Sequence, residues 1–165
     1  MQEETRLPKN GKEFILFLGI ISIISVNTIA PTIMGLQFGF TMDVYKAALK
    51  TMPFIWLIVL VLIPFIVEPI ANKLVAKFTA PTDSFNSVTL FHTLFSVLMM
   101  SIILSVVAAW VGTRTISMEP ITNFFYAWPR NFAVAFFIES LIAQPIARLA
   151  MKGLHKYQAK QSKIA

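Results

Sequence analysis

The sequence contains no cysteine, which excludes disulfides, thiolate metal sites and thiol redox chemistry. Charge is scarce too: 13% of the 165 residues are Asp, Glu, Lys or Arg, against 56% hydrophobic. The mean hydropathy of +0.71 lies outside the range of an ordinary soluble domain. The histidines are two, His92 and His155, and only His92 falls in an apolar run; with no second histidine in the membrane and no thiol, no metal site is expected. There is no phosphate-cradling glycine loop, no HExxH helix, no Ser-His-Asp set with workable spacing and no pair of intramembrane aspartates. No enzyme of known design fits this pattern, and no cofactor is implied.

What is present is apolar sequence in long pieces. Phe14 to Leu36, Pro53 to Ala71, Leu90 to Gly112 and Trp128 to Ala150 are each long enough to cross about 30 Å of hydrocarbon, which takes roughly 20 residues. They predict an all-α integral membrane protein with four transmembrane helices. The first run follows Lys9 and Lys12, but it is too long for the apolar core of a signal peptide and lacks a clear small-x-small cleavage site. It is expected to stay as an anchor.

Of the 14 Lys and Arg residues, Lys46, Lys50, Arg114 and Arg130 fall on one side of the predicted spans. The other ten lie in the N-terminal segment, the middle connection and the C-terminal tail. The positive-inside rule then places both termini in the cytoplasm of a multi-pass protein of the cell (plasma) membrane. The net charge of +6 is concentrated in the tail, where anionic lipid headgroups, not nucleic acid, are the expected partner.

Sliding the chain along itself by 76 positions aligns its halves without a gap. Glu68-Pro69-Ile70-Ala71 meets Gln144-Pro145-Ile146-Ala147, Pro53 meets Pro129, Thr41-Met42-Asp43 meets Ser117-Met118-Glu119, and Ser25 meets Ser101. The register predicts an internal repeat. Each copy holds two spans, an even number, so the second enters the membrane in the same orientation as the first and the repeat is parallel. The expected organisation is a polar segment at residues 1–12, a first two-helix hairpin at 13–78, a cytoplasmic connection at 79–88, a second hairpin at 89–154 and a basic tail at 155–165.

Ser22, Ser25, Thr28, Thr32 and Gly35 recur at three- and four-residue steps in the first span, and Ser101, Ser105, Ala108 and Gly112 repeat the device in the third. Such seams admit a neighbouring helix at close range. Thr41 and Ser117 are expected N-caps, each followed two residues later by an acid. Tyr45, Trp56, Phe124, Phe125, Tyr126 and Trp128 are expected in an outer aromatic belt.

Glu139 sits near the middle of the last apolar run, about 13 Å along a helix from the next charge, Arg148. A carboxyl at that depth is either a proton- or cation-exchanging site or half of an internal pair. Asn123, Ala127, Asn131, Ala135, Glu139, Ala143 and Ala147 follow at four-residue steps and drift about 40° per step around a helix. Asn27, near mid-span in the first helix, is expected to join Asn131 and Glu139 in a polar site. Glu68 and its counterpart Gln144, each just before a proline, are expected at the inner mouth. Arg130 is expected at the outer end, on lipid phosphates or an anionic substrate.

The Ala127-Trp128-Pro129 and Ala143-Gln144-Pro145-Ile146-Ala147-Arg148 elements resemble those of a family of small bacterial membrane proteins. Its unit is a two-helix hairpin described only as a domain of unknown function, and the chain looks like two such units covering about residues 13 to 152. The first half departs from the pattern, with Met52-Pro53 for Trp-Pro and Glu68 for Gln144. The resemblance implies a bacterial inner membrane and a compact helical bundle, and no reaction. The function expected from the residues is transport or efflux of a small molecule or ion through a homo-oligomer, using the intramembrane carboxylate. The alternative is a non-transporting accessory or scaffold protein that binds a larger membrane partner.

Overall fold

The computed structural model describes residues 6–161 of the chain. Residues 1–5 of the N-terminal segment and residues 162–165 of the basic tail, Lys163 among them, lie outside the described residues. Helix α1 (Gly11–Phe38) opens on an N-cap related to the capping box: Asn10 Oδ1 accepts from the Glu13 N–H at 2.9 Å, and the Glu13 carboxylate reaches back one residue further, to the Lys9 N–H at 2.7 Å. It closes at Gly39, whose φ of +94° no branched residue adopts readily. Phe40 then folds its ring back into the space a side chain on Gly35 would need.

Helix α2 (Met42–Phe78) starts at Thr41, whose Oγ1 accepts from the Val44 N–H at 3.3 Å, as its spacing predicts. Helix α3 (Phe85–Thr113) starts at Ser84, so the turn between α2 and α3 is shorter than the connection expected at 79–88. A single turn, α4 (Glu119–Thr122), leads into α5 (Phe124–Gln161).

Both α2 and α5 widen into a π-turn, at Ile63–Val67 and Glu139–Ala143. The Glu68 N–H bonds the Ile63 carbonyl and the Gln144 N–H bonds the Glu139 carbonyl, five residues back in each case. Pro69 and Pro145 come next. A proline has no N–H and its ring excludes the carbonyl four residues earlier. The helix absorbs one extra residue ahead of each ring and continues. Ile63 and Glu139, which open the two π-turns, are 76 positions apart, as the two prolines are.

The four long helices form a ring in the order α1, α2, α3, α5: each packs on two neighbours, with α1 and α3 at opposite corners and α2 and α5 at the others. The α1–α2–α3 side is closed by Val26, Ala48, Met52, Ile55 and Val59 with Met100 and Leu104 against them. The α1–α5 edge is closed by Ile21, Ala143 and Ala147. From the last residue of each π-turn onward, Val67, Ala71 and Val75 of α2 are buried, and so are Ala143, Ala147 and Met151 of α5.

All four long helices are long and apolar enough to cross a membrane, yet only 11% to 22% of each apolar window is buried inside the protein. Phe65 is 76% exposed and Leu141 70%. Such outward-facing surface is stable against lipid tails and not against water, which marks a multi-pass membrane protein. At 37 and 38 residues, α2 and α5 run about 55 Å, well beyond the roughly 30 Å of a hydrocarbon core.

The structure differs from the sequence expectation at three places. Ser117 does not cap a long helix: its carbonyl accepts from the Trp110 indole at 2.8 Å, and the chain makes the α4 turn and restarts at Phe124. Trp128, expected with the outward aromatic residues, turns its indole inward to Ser101, whereas Tyr126 is 88% exposed. The expected basic tail is, over residues 155–161, the last turns of α5, with His155 itself buried.

Candidate functional site

The Glu139 carboxyl lies in the edge where α1 and α5 meet, partly buried, and accepts a hydrogen bond from the Ser25 hydroxyl of α1. Two local features put it there. Ser25 is on the small seam of α1, which lets α5 approach, and Ala143 and Ala147 offer the matching small surface from the other side. The π-turn then stacks residues five apart: the Gln144 side chain comes within hydrogen-bonding reach of the Glu139 carboxyl, which an α-helix would not allow.

From Gln144 the polar path continues. Its Oε1 accepts from Arg148 Nη2 at 3.3 Å. Ser140, Gln144 and Arg148 line one wall of a cleft of about 180 Å³, with Asn86, Thr89 and Thr93 of α3 on the other. A hydrogen-bonding series thus runs from mid-bundle Glu139 along α5 to an opening between α3 and α5, at the end of the bundle where the described termini lie.

The remaining expected site residues do not converge on Glu139. Asn131 donates from Nδ2 to Ser105 Oγ on α3 at 3.1 Å, so it faces the other neighbour of α5. The reason is the drift of the four-residue stripe: two steps turn it about 80°, close to the angle between the neighbours of one corner helix. Asn27 is exposed on the outside of the ring, bonded to its own Ile23 carbonyl at 2.7 Å, two residues and about 200° around α1 from Ser25. It lines a separate groove of about 380 Å³ between α1 and α2, with Met52 and Trp56.

Glu68 and Gln144 stand on opposite corner helices and form no joint ring of contacts. Glu68 pairs with His92 Nε2 on α3 at 3.1 Å. Arg130 is partly buried near the loop end of α5, and its Nε has no hydrogen-bond partner.

Sequence reasoning missed the pairings across the ring. Glu13 and His155 Nε2 meet at 2.9 Å, both buried, and tie the start of α1 to the end of α5. The Asn10-Gly-Lys-Glu13 spacing was a readable capping-box signal that would have fixed Glu13 in place. Nothing local marks His155 as its partner, 142 residues away. The Trp128 indole donates to Ser101 Oγ at 3.0 Å, and with Asn131–Ser105 it fastens α5 to α3. The first-half counterparts of those two α5 residues, Met52 and Ile55, sit in the apolar cluster instead.

Residues 86–155 match the family described as Domain of unknown function (DUF2798). The matched segment is the second hairpin, and it carries Asn131, Glu139, Gln144, Arg130 and Arg148. Ser25, the partner of Glu139, and Asn27, Glu13 and Glu68 lie outside it. No curated protein and no solved structure matches the chain.

Proposed function

We propose that the chain is a small transport protein of the cell membrane in which Glu139 exchanges a proton or cation with the side on which the termini lie. The observation that carries this reading is the series Ser25, Glu139, Gln144, Arg148, which connects a carboxyl at the hairpin interface to a polar cleft. An ionisable group at membrane depth that faces other helices is by default a candidate for an ion or proton route. The π-turn supports the same reading, because these turns concentrate at functional sites.

The rest of the organisation is proposed on the same footing. The common 76-residue offset of the prolines and the π-turns supports two parallel hairpins derived from one unit. The excess of Lys and Arg at the terminal end supports cytoplasmic termini, with the basic residues against anionic headgroups. A homo-oligomer is supported by Asn27, whose carboxamide would otherwise face hydrocarbon; a carboxamide is both donor and acceptor, so a second copy can satisfy it across a twofold axis.

The test is proton flux into proteoliposomes carrying an internal pH dye under an imposed pH gradient. Wild-type protein should carry flux, and Glu139→Gln should lower it by about tenfold or more, the effect of losing a proton-carrying group. Equal flux in both would remove Glu139 from the mechanism. Wild-type protein that carries no flux of protons or cations would leave the accessory role, binding a larger membrane partner, as the better account.

A further inference from the structure

Three serines on three helices carry hydroxyls that the bundle itself does not serve. The Oγ atoms of Ser22 on α1, Ser96 on α3 and Ser140 on α5 are buried, and none has a hydrogen-bond partner among the described residues. Ser22 is 1% exposed, so it faces protein on every side. A buried hydroxyl without a partner is costly, and folded proteins supply one from protein or from water.

The three lie close to one level. The bond from Ser25 to Glu139 sets the register of α1 on α5, and the cleft that Thr93 and Ser140 both line sets that of α3 on α5. Ser22 is three residues from Ser25 and Ser96 three from Thr93, a rise of about 4.5 Å along each helix. Each also stands one turn before a member of the apolar cluster, Ser22 before Val26 and Ser96 before Met100, and so continues the same face toward the terminal end. The cluster thus ends on a polar layer at the depth of Glu139. An acceptor is present there too. The π-turn gives the Gln144 N–H to the Glu139 carbonyl, and Pro145 has no N–H, so the Ser140 carbonyl loses its donors both four and five residues on.

We infer that the ring encloses buried water at this level, held by Ser22, Ser96 and Ser140, and that Glu139 takes its proton from that water. The second half of the inference rests on the transport reading above. A buried water makes about three hydrogen bonds to polar groups that would otherwise lack partners, and hydroxyls with a free carbonyl offer it both donors and acceptors. The apolar cluster closes the site toward the loops, and the cleft at Ser140 opens it toward the termini. A hydronium entering by the cleft gives one proton to the waters, and the last water gives one to the Glu139 carboxylate, so each O–H bond broken is matched by one formed. A proton suits this carboxylate better than a metal ion. Ser25 points its hydrogen at it, and Gln144, whose Oε1 accepts from Arg148, turns its amide hydrogens to it, so neither partner brings an oxygen to a cation.

Water-edited solid-state NMR of the full chain in proteoliposomes, labelled at serine, valine and methionine, tests the site independently of flux. Water magnetisation should reach Ser22 and Ser96 as it reaches exposed Ser87, and should reach Val26 and Met100, one turn away, more slowly. Transfer to Ser22 and Ser96 no faster than to Val26 would overturn the inference.

Ser22→Val and Ser22→Thr add nearly the same volume and differ in the hydroxyl. Ser22→Val should lose the water signal at Ser96 and lower proton flux by about tenfold, and Ser22→Thr should keep both. Equal losses in the two variants would trace the effect to bulk and overturn the role of the hydroxyl. Should Ser22→Val lose its helical circular dichroism, Ser96→Val and Ser96→Thr carry the same comparison, read at Ser22. Water at Ser22 and Ser96 without flux in wild type would overturn the transport reading and leave the water site standing. Flux driven by a sodium gradient at constant pH would assign a metal cation and overturn the proton.

Discussion

Asn131 and Ser105 allow a prediction whose sign separates packing from function. Asn131 Nδ2 donates to Ser105 Oγ, but Asn131 Oδ1 is buried with no partner, so the amide is only half satisfied between α3 and α5. Ser105→Ala removes the remaining partner and leaves the whole carboxamide without one. An interhelical hydrogen bond within a membrane contributes about 0.6 kcal/mol and at most about 1.7. Stranding a buried polar group costs about 1–3 kcal/mol. Loss of about 1–2 kcal/mol is therefore expected.

Asn131→Leu should behave differently, because it removes the orphaned oxygen together with the bond. Ser105 can turn its hydroxyl to its own helix, as Thr28 and Thr32 do toward carbonyls four residues back. Residue 55, the first-half counterpart, is a buried isoleucine, so an apolar side chain suits that position in the hairpin. Asn131→Leu should lie within about 0.5 kcal/mol of wild type or be more stable. Reversible unfolding in mixed micelles, with the double variant to complete the cycle, measures both. If Asn131→Leu destabilises as much as Ser105→Ala, the oxygen has a partner and the reasoning is wrong.

Gly35→Val should place its side chain in the ring of Phe40 and destabilise by about 1–3 kcal/mol, read as a lower unfolding midpoint. The companion Phe40→Ala should recover part of that loss. His155→Ala should remove the closest α5 partner of Glu13, and the last turns of that helix should lose hydrogen-exchange protection relative to α3. Unchanged protection there would mean that Met151 and its neighbours hold the helix end alone. Asn27→Leu should shift a detergent-solubilised oligomer toward monomer by about 1 kcal/mol per subunit, seen by light scattering; no shift would place the subunit contact elsewhere.

The spans, their number and the caps at Asn10 and Thr41 are legible in the sequence because they rest on short-range rules: run length, one-turn spacing, side-chain oxygens. The four-residue stripe on α5 was legible as well, but its drift decided that Asn131 and Glu139 face different helices, and that needs the ring order, which no local pattern contains. Asn27 looked like a partner of Glu139 because both are polar and near mid-span. Only the angular position of α1 in the ring shows that Ser25 faces α5 and Asn27 faces outward. Pro69 and Pro145 are legible as places where a helix loses a backbone hydrogen bond, but the extra residue that relieves them is a property of the continuous helix. His155 was read as part of a charged tail because its neighbours are lysines; its burial depends on a glutamate at the other end of the chain.

The ring has only two seams between its hairpins, α1 with α5 and α2 with α3, and each has a carboxylate as its fastening: Glu139 and Glu13 along the first, Glu68 with His92 along the second. Among the described residues the helices at opposite corners do not approach closely, so on the proposed transport reading one seam would part while the other serves as the hinge, like a book opened along its fore-edge. Such a slit would face sideways into the bilayer, so a guest could enter from among the lipids without passing through either aqueous phase.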